Sequence, residues 1–384
     1  MTWKSINVSN FTTPPPGLDK RSSKADEFSF TYKANPGSDT PEGYVIRANL
    51  AADLQINLDV TRPASVPGFK TGKGPKGGFS YFGTDPDNAE GYVVHRFWPR
   101  TSATGMLILN GKAITAQGPG MFVHAIQGMR ADLIASRWNF AHFQSQQHGG
   151  VSGIMMEFTT TDAYGKKGAG SGFVAVNVGS VTVGGKLAAV TAETRWPGEA
   201  QSDKAEVMCR AIHSKKEHDA DTSYEAPTEC IFQWAGPSVD PAAPGTIDAN
   251  LTIDYGSPSS YKGLIEKVDV LSEIPYVIKT MVNYVAGTKP FIYQVRTRMF
   301  CRLIRIVKPS CSCGAVVEPS YDDDHWTRFV RSRLVGGIEG GRVPLHGGYI
   351  YLVDSRSGVE VMGSAEALVA CTFRHVCHVL QFSA

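Results

Sequence analysis

Long apolar runs are missing from this 384-residue chain, and no stretch approaches the ~18 consecutive apolar residues that a bilayer-spanning helix needs. Surplus charge is missing too. With 38 basic residues against 36 acidic ones, nothing in the global balance attracts nucleic acid, and none is expected as a partner. Cysteine is scarce across the first 294 residues, which hold only Cys209 and Cys230; that leaves no disulfide framework and suits a reducing compartment. The opening Met1-Thr2-Trp3-Lys4-Ser5 lacks the basic-then-apolar pattern of a secretory leader. The expectation is an intracellular chain whose sequons at Asn7, Asn10 and Asn250 are chance matches. Also absent are the GxSxG elbow, the HExxH zinc helix and the GxxxxGK[ST] order. The glycine-rich stretch 72–78 precedes a strand-like segment rather than a helix N-terminus, so it reads as a solvated hairpin loop.

What is present points to an ordered β-protein. A 42% hydrophobic content is ordinary for a globular chain, and 40 glycines with 10% aromatics favour many turns and packed strands. Strict alternation marks Leu54, Ile56, Leu58 and Val60, with Asp53, Gln55, Asn57 and Asp59 between them, the period-two pattern of a half-buried antiparallel strand. Asn110-Gly111 and Gly184-Gly185, each flanked by alternating apolar residues, predict two hairpins with type I′ turns. Helical period is confined to Val277, Ile278, Met281, Val282 and Val285, between Pro275 and Gly287. Short strands at regular spacing with one late helix indicate barrels or sandwiches, not βαβ units.

Composition breaks after Gln294. The first 294 residues hold 18 Lys and 9 Arg, whereas the last 90 hold 1 Lys, 10 Arg and five of the seven cysteines. Cys311-Ser-Cys313 and the Cys371/Cys377 pair do not have the spacing of thiolates wrapping a tetrahedral zinc, and no metal or other cofactor is expected. Residues 295–384 are therefore expected to be an atypical tail, poorly ordered apart from short elements such as a strand in 343–353. His213, Glu217 and His218 would approach a metal only on a helix, and Lys215, Lys216 and Asp219 around them read as a charged loop.

Chemistry-bearing residues are densest between His95 and Phe158. If these strands line one barrel, Trp98, Phe122, Trp138, Phe140 and Met155 form an apolar wall, and His124, Gln127, Arg137, Asn139 and Glu157 are the convergent polar groups. These ten are the candidate ligand-binding residues, with none assigned a catalytic role. Alternation puts Phe122 with His124, and Trp138 with Phe140 and His142, on faces opposite Met121 with Val123 and Asn139 with Ala141 and Phe143. Arg137 and Glu157 are a candidate buried ion pair.

The same stretch carries a resemblance. His95-Arg-Phe-Trp-Pro-Arg100, Gly120-Met-Phe-Val-His-Ala-Ile-Gln-Gly128 and Ala135-Ser-Arg-Trp-Asn-Phe-Ala-His-Phe-Gln-Ser145 resemble the fungal survival-factor family, and Gly149-Gly-Val-Ser-Gly-Ile-Met-Met-Glu-Phe-Thr-Thr160 and Gly287-Thr-Lys-Pro-Phe-Ile-Tyr-Gln294 continue the match in order. The resemblance implies an all-β fold of two tandem lipocalin-like antiparallel barrels: an N-terminal domain over 1–97, incomplete at its start, a C-terminal domain over 98–294, and the tail over 295–384. It further implies a ceramide or similar sphingoid partner, ceramide transfer from endoplasmic reticulum to Golgi, survival under oxidative stress, and a cytoplasmic location peripheral to those membranes, the nucleus staying open as well. Family members carry an amphipathic membrane-binding helix ahead of the segment resembling 1–10, so membrane contact is expected of the family through a helix this chain lacks. Against this carrier stands an enzyme: a lipocalin-like hydratase or cyclase acting on an apolar isoprenoid or polyketide, with Glu157 as general acid beside His124.

Overall fold

The computed structural model describes residues 9–15, 21–71, 79–127, 134–145, 150–199, 207–269, 291–306, 339–353, 361–364, 366–373 and 376–382, the backbone alone for 71, 124–127, 296–306 and 339 onward. Eight strands come first: β1 (Ser23–Lys24), β2 (Phe28–Ala34), β3 (Glu42–Ala51), β4 (Leu54–Arg62), β5 (Phe69–Thr71), β6 (Ser80–Phe82), β7 (Gly91–Leu109) and β8 (Lys112–Gln127). Ten more follow: β9 (Ala135–Ser145), β10 (Val151–Thr160), β11 (Ala175–Val183), β12 (Lys186–Arg195), β13 (Met208–Asp219), β14 (Tyr224–Pro237), β15 (Thr246–Asp254), β16 (Leu264–Asp269), β17 (Phe291–Ile306) and β18 (Glu339–Val353). The chain then adds β19 (Val361–Ser364), β20 (Glu366–Phe373) and β21 (Val376–Phe382).

All pairings are antiparallel and fall into two curled sheets, the lipocalin-like all-β architecture expected from sequence. The first runs β1-β2-β3-β4-β7-β8-β21-β20-β19, with β5 and β6 on β7; the second runs β12-β11-β10-β9-β18-β17-β15-β14-β13, with β16 on β17. Among the described residues no helix is long and apolar enough to cross a membrane. The expected helix near 277–285 and the glycine-rich loop 72–78 lie outside the described residues. The tail set apart by its composition contributes β18 between β9 and β17, and β21 against β8.

Both predicted hairpins are present. Asn110 and Gly111 take φ of 50° and 73°, and Gly184 and Gly185 take 59° and 70°, the left-handed pair that a type I′ turn requires. β13 corrects the sequence reading: Lys215, Lys216 and Asp219 lie on a strand that runs on from His213, not in a charged loop. No cluster of metal-ligating groups forms among the described residues.

β7 is one continuous strand with a register shift between Trp98 and Thr101. Pro99 sits inside the shift; lacking an N–H, it cannot serve the ladder and is accommodated at a bulge that bends the strand. β7 and β8 both belong to the first sheet, and the change of sheet comes between Gln127 and Ile134. Alternation then sends Phe97 and Trp98 to opposite sides. Trp98 joins Phe28, Phe30, Tyr44, Ile46, Leu58 and Phe122 on the inner face of the first sheet. Phe97, with Met121 and Val123, packs against Phe140, Ile154 and Val178 of the second sheet. Phe143, Met155, Cys209, Phe232, Trp234 and Leu251 fill the second sheet's own interior. There the Trp234 indole N–H donates to the Ile154 carbonyl at 2.9 Å, passing over Gly179, where a Cβ would stand 2.6 Å from that nitrogen.

Candidate functional site

One row of polar residues crosses the inner face of the second sheet. Asn139, Glu157, Asn177 and Glu193 are register neighbours on β9, β10, β11 and β12, so antiparallel pairing alone lines them up perpendicular to the strands. All four are buried, and each buried polar group needs partners. Within the row, the Glu157 carboxylate accepts from Asn139 Nδ2 and from Asn177 Nδ2, both at 2.8 Å, and from Arg195 Nη2 at 2.8 Å.

The rest of the row faces β13, an edge strand whose second side has no ladder partner among the described residues. Alternate residues of β13 meet the row in order. Glu193 accepts the Cys209 N–H at 3.0 Å, and the Cys209 thiol donates to Asn177 Oδ1 at 3.0 Å. The Ala211 N–H reaches Glu157 at 3.4 Å, and His213 Nε2 lies 2.8 Å from Asn139 Oδ1. Arg210 adds a two-pronged ion pair to Glu193, with Nη2 at 2.8 Å and Nε at 3.0 Å. Carboxylates and amides thus take the place of a neighbouring strand's carbonyls, and the sheet closes on itself through side chains. Burial drives the His213 pKa down to about 4, helped by the charges of Arg137 and Lys216, so the ring is neutral at pH 7. Burial likewise pushes the Cys209 thiol far above its usual value, so it is no nucleophile.

Beside this seam a cavity of ≈ 540 Å³ opens, lined by Arg137, Asn139, Glu157, Arg195, His213 and Lys216 among others. The expected ion pair of Arg137 with Glu157 is not formed. Arg195 takes that role: Arg137 and Arg195 both stand in the row of Thr159, one step along from Glu157, and the Arg195 guanidinium turns back to the carboxylate while Arg137 is exposed.

The inner face of the first sheet has a different chemistry. Tyr44, Trp98 and Phe122 form a triangle of rings with centroids 4.4–5.2 Å apart. The apolar face ends in one charged cluster. Arg62, buried, donates to Glu42 through Nη2 at 2.6 Å and Nε at 2.8 Å, and the Tyr32 hydroxyl donates to the same carboxylate at 2.7 Å. Burial raises the Glu42 pKa, but the hydrogen bonds from Tyr32 and Arg62 and the charges of Arg62 and Arg21 outweigh it, leaving the carboxyl below its usual range.

The ten residues singled out by sequence therefore separate. Arg137, Asn139 and Glu157 come together at the polar cavity, and Met155 packs in the core beside them, its sulfur 3.6 Å from Asn177 Nδ2. Trp98 and Phe122 belong to the first sheet's interior. Phe140 and Trp138 lie on the outer face of the second sheet, packed toward the first, so they face away from the polar cavity. His124 and Gln127 lie on β8, with side chains outside the described residues. Sequence reasoning passed over Asn177, Glu193, Arg195 and Arg210, and over Tyr32, Glu42 and Arg62. The signal for Asn177 was available: a lone amide in the apolar run Val174-Ala-Val-Asn-Val178.

Two successive antiparallel sheets, one with an apolar interior and one with a polar-lined cavity, define a lipocalin-like β-protein built around interior faces. The chain belongs to the Svf1 family, whose family model matches residues 1–304. It is 36% identical over 252 residues to the ceramide-binding protein svf1 of Aspergillus fumigatus, covering 66% of this chain and 54% of that protein. It is 32% identical over 278 residues to the ceramide-binding protein svf1 of Schizosaccharomyces pombe, covering 72% and 63%. The chain thus spans less than two thirds of the length of these two relatives. A solved AttH-like protein of Nitrosomonas europaea superposes with a TM-score of 0.40 at 13% identity, over 89% of this chain and 74% of that one.

Proposed function

We propose that this chain binds ceramide as a non-enzymatic carrier. The observation that carries the proposal is its membership of a family whose relatives are named for ceramide binding. The first sheet offers a matching surface. Its inner face is apolar from Phe28 to Leu109 and terminates in the Tyr32–Glu42–Arg62 cluster. An amphipathic lipid has the same polarity profile: each buried CH₂ contributes ~0.8 kcal/mol, and the amide and hydroxyls of the head need donors and acceptors at one end. In this reading Trp98 and Phe122 contact the chains. Asn139 and Glu157, named with them from sequence, serve the second sheet instead. Ceramide transfer between endoplasmic reticulum and Golgi, peripheral membrane contact and survival under oxidative stress belong to the same proposal.

The hydratase or cyclase reading is less well supported by the geometry. Glu157 has both oxygens occupied by donors, and among the described residues no histidine is one of its partners. The test is extraction of lipid from the purified chain followed by mass spectrometry. Unmodified ceramide co-purifying with the wild type, and depleted in Trp98→Ala/Phe122→Ala, supports the carrier. Turnover of an added polyene, or no bound lipid in either protein, would sink it.

A further inference from the structure

The cavity beside β13 holds more positive charge than its own ion pairs use. Of the four cations lining it among the described residues, Arg210 is paired with Glu193 and Arg195 with Glu157, each at 2.8 Å. Arg137 and Lys216 meet no carboxylate within ion-pair distance among the described residues, although they lie close enough together to act jointly on His213. Arg195 Nε is buried and has no hydrogen-bond partner. A volume of ≈ 540 Å³ falls inside the range of about 300–1,000 Å³ typical of small-ligand sites. The lining is polar, which suits neither an acyl chain nor a simple apolar plug.

We infer that this cavity binds a phosphomonoester, with Arg137 and Lys216 at the mouth holding the phosphoryl oxygens and Arg195 Nε supplying a donor further in. A phosphomonoester carries nearly two negative charges at neutral pH on a tetrahedral set of acceptors, so it answers both unpaired cations and takes donors from several directions. A carboxylate would leave one cation unanswered, and a neutral amide or hydroxyl head would leave both. The guanidinium fork of Arg137 matches phosphate geometry, and Lys216 acts beside it as a point charge. The phosphoryl group has two possible sources, a soluble metabolite or a lipid head group. Because the cavity lies in the second sheet, this assignment does not depend on ceramide occupying the first.

The test uses the full chain in two arms: calorimetric titration with glycerol phosphate at low salt, and co-sedimentation with phosphatidylcholine vesicles with and without phosphatidic acid. Binding in the first arm identifies a soluble ligand, and binding only to phosphatidic acid vesicles identifies a lipid head; either supports the site. Arg137→Ala/Lys216→Ala is expected to weaken that binding by at least about tenfold. Lys215→Ala, one residue along β13 and paired with Glu229 at 3.0 Å, is expected to leave it unchanged. Should the alanine pair perturb folding, Arg137→Gln/Lys216→Gln keeps most of the side-chain bulk and must show the same loss. No binding in either arm overturns the assignment. So does binding that the double variant leaves intact, or an equal loss in Lys215→Ala, which would reveal only bulk charge attraction. Ceramide retention by the double variant, read separately by lipid extraction, is expected to match the wild type.

Discussion

The two sheets use the same alternation to opposite ends. In the first, inward positions on β2, β3, β4 and β7 are apolar almost throughout, and charge is confined to the rim at Glu42 and Arg62. In the second, a polar row runs through the middle of the inner face and is tied to the edge strand β13. A charged group at the rim of an interior keeps one side toward water and leaves the apolar face continuous. A polar row across the middle divides the interior and needs a complete set of partners. The first arrangement suits a lipid that must enter and leave; the second closes a barrel and leaves a small polar cavity beside the seam.

Removing the centre of the row gives the largest expected effect. Glu157→Ala orphans Asn139, Asn177 and Arg195 together and is expected to destabilise the fold by about 3–5 kcal/mol in urea unfolding, the cost of breaking a buried pair. A loss near zero would mean that the row is solvated and the seam is held by something else. Leu58→Ala in the first interior, at a side chain 0% exposed, is expected to cost about 2–5 kcal/mol through lost contacts and a cavity. If that vacancy instead fills with lipid, ceramide added to the variant should recover part of the loss, which sharpens the contrast with Glu157→Ala.

Acid tests both regions at once. His95 on β7 and His213 on β13 each have a pKa lowered to about 4, mainly by burial. Between pH 6.5 and 4 the unfolded chain takes up protons that the folded chain refuses. Stability from each histidine is therefore complete above about pH 6.5 and is lost as pH falls toward 4, by up to about 3 kcal/mol apiece. His213→Gln should make the stability profile shallower across that window by one proton, and His95→Gln should do the same from the first sheet. An unchanged slope in either variant contradicts the burial assigned to that ring. The smallest effect is expected at the exposed Lys215–Glu229 pair, where Lys215→Ala should change stability by no more than about 0.5 kcal/mol.

Much of the fold was legible because period two and turn chemistry act locally. Leu54 to Val60 alternate as the burial of β4 requires, and Asn110-Gly111 and Gly184-Gly185 sit in the turns their backbones permit. Alternation also assigned Phe122 and Met121, and Phe140 and Asn139, to opposite faces correctly. Which sheet each face belongs to was not legible, since that depends on the long-range order of strands. Hence Trp98 and Phe140, placed in one apolar wall by their residue type, end in different surroundings. Arg195 displaced Arg137 as the partner of Glu157 although both stand in the row of Thr159; which guanidinium turns toward the carboxylate depends on strands brought together from far apart in the chain, which local pattern does not specify. Lys215, Lys216 and Asp219 were misplaced because a run of charged residues resembles a loop, whereas β13 is an edge strand with one face open to water.

The central claim is that ceramide occupies the first interior and not the second. Photo-crosslinking with a ceramide that carries a diazirine in its acyl chain, followed by peptide mapping on the full chain, tests it most directly. Adducts should fall on inner-face residues of β2 to β4, β7 and β8, around Phe30, Tyr44, Trp98 and Phe122, and the Arg137→Ala/Lys216→Ala variant should give the same map. Adducts concentrated on Phe143, Met155, Phe232 or Trp234 would place the lipid in the second barrel and contradict the account.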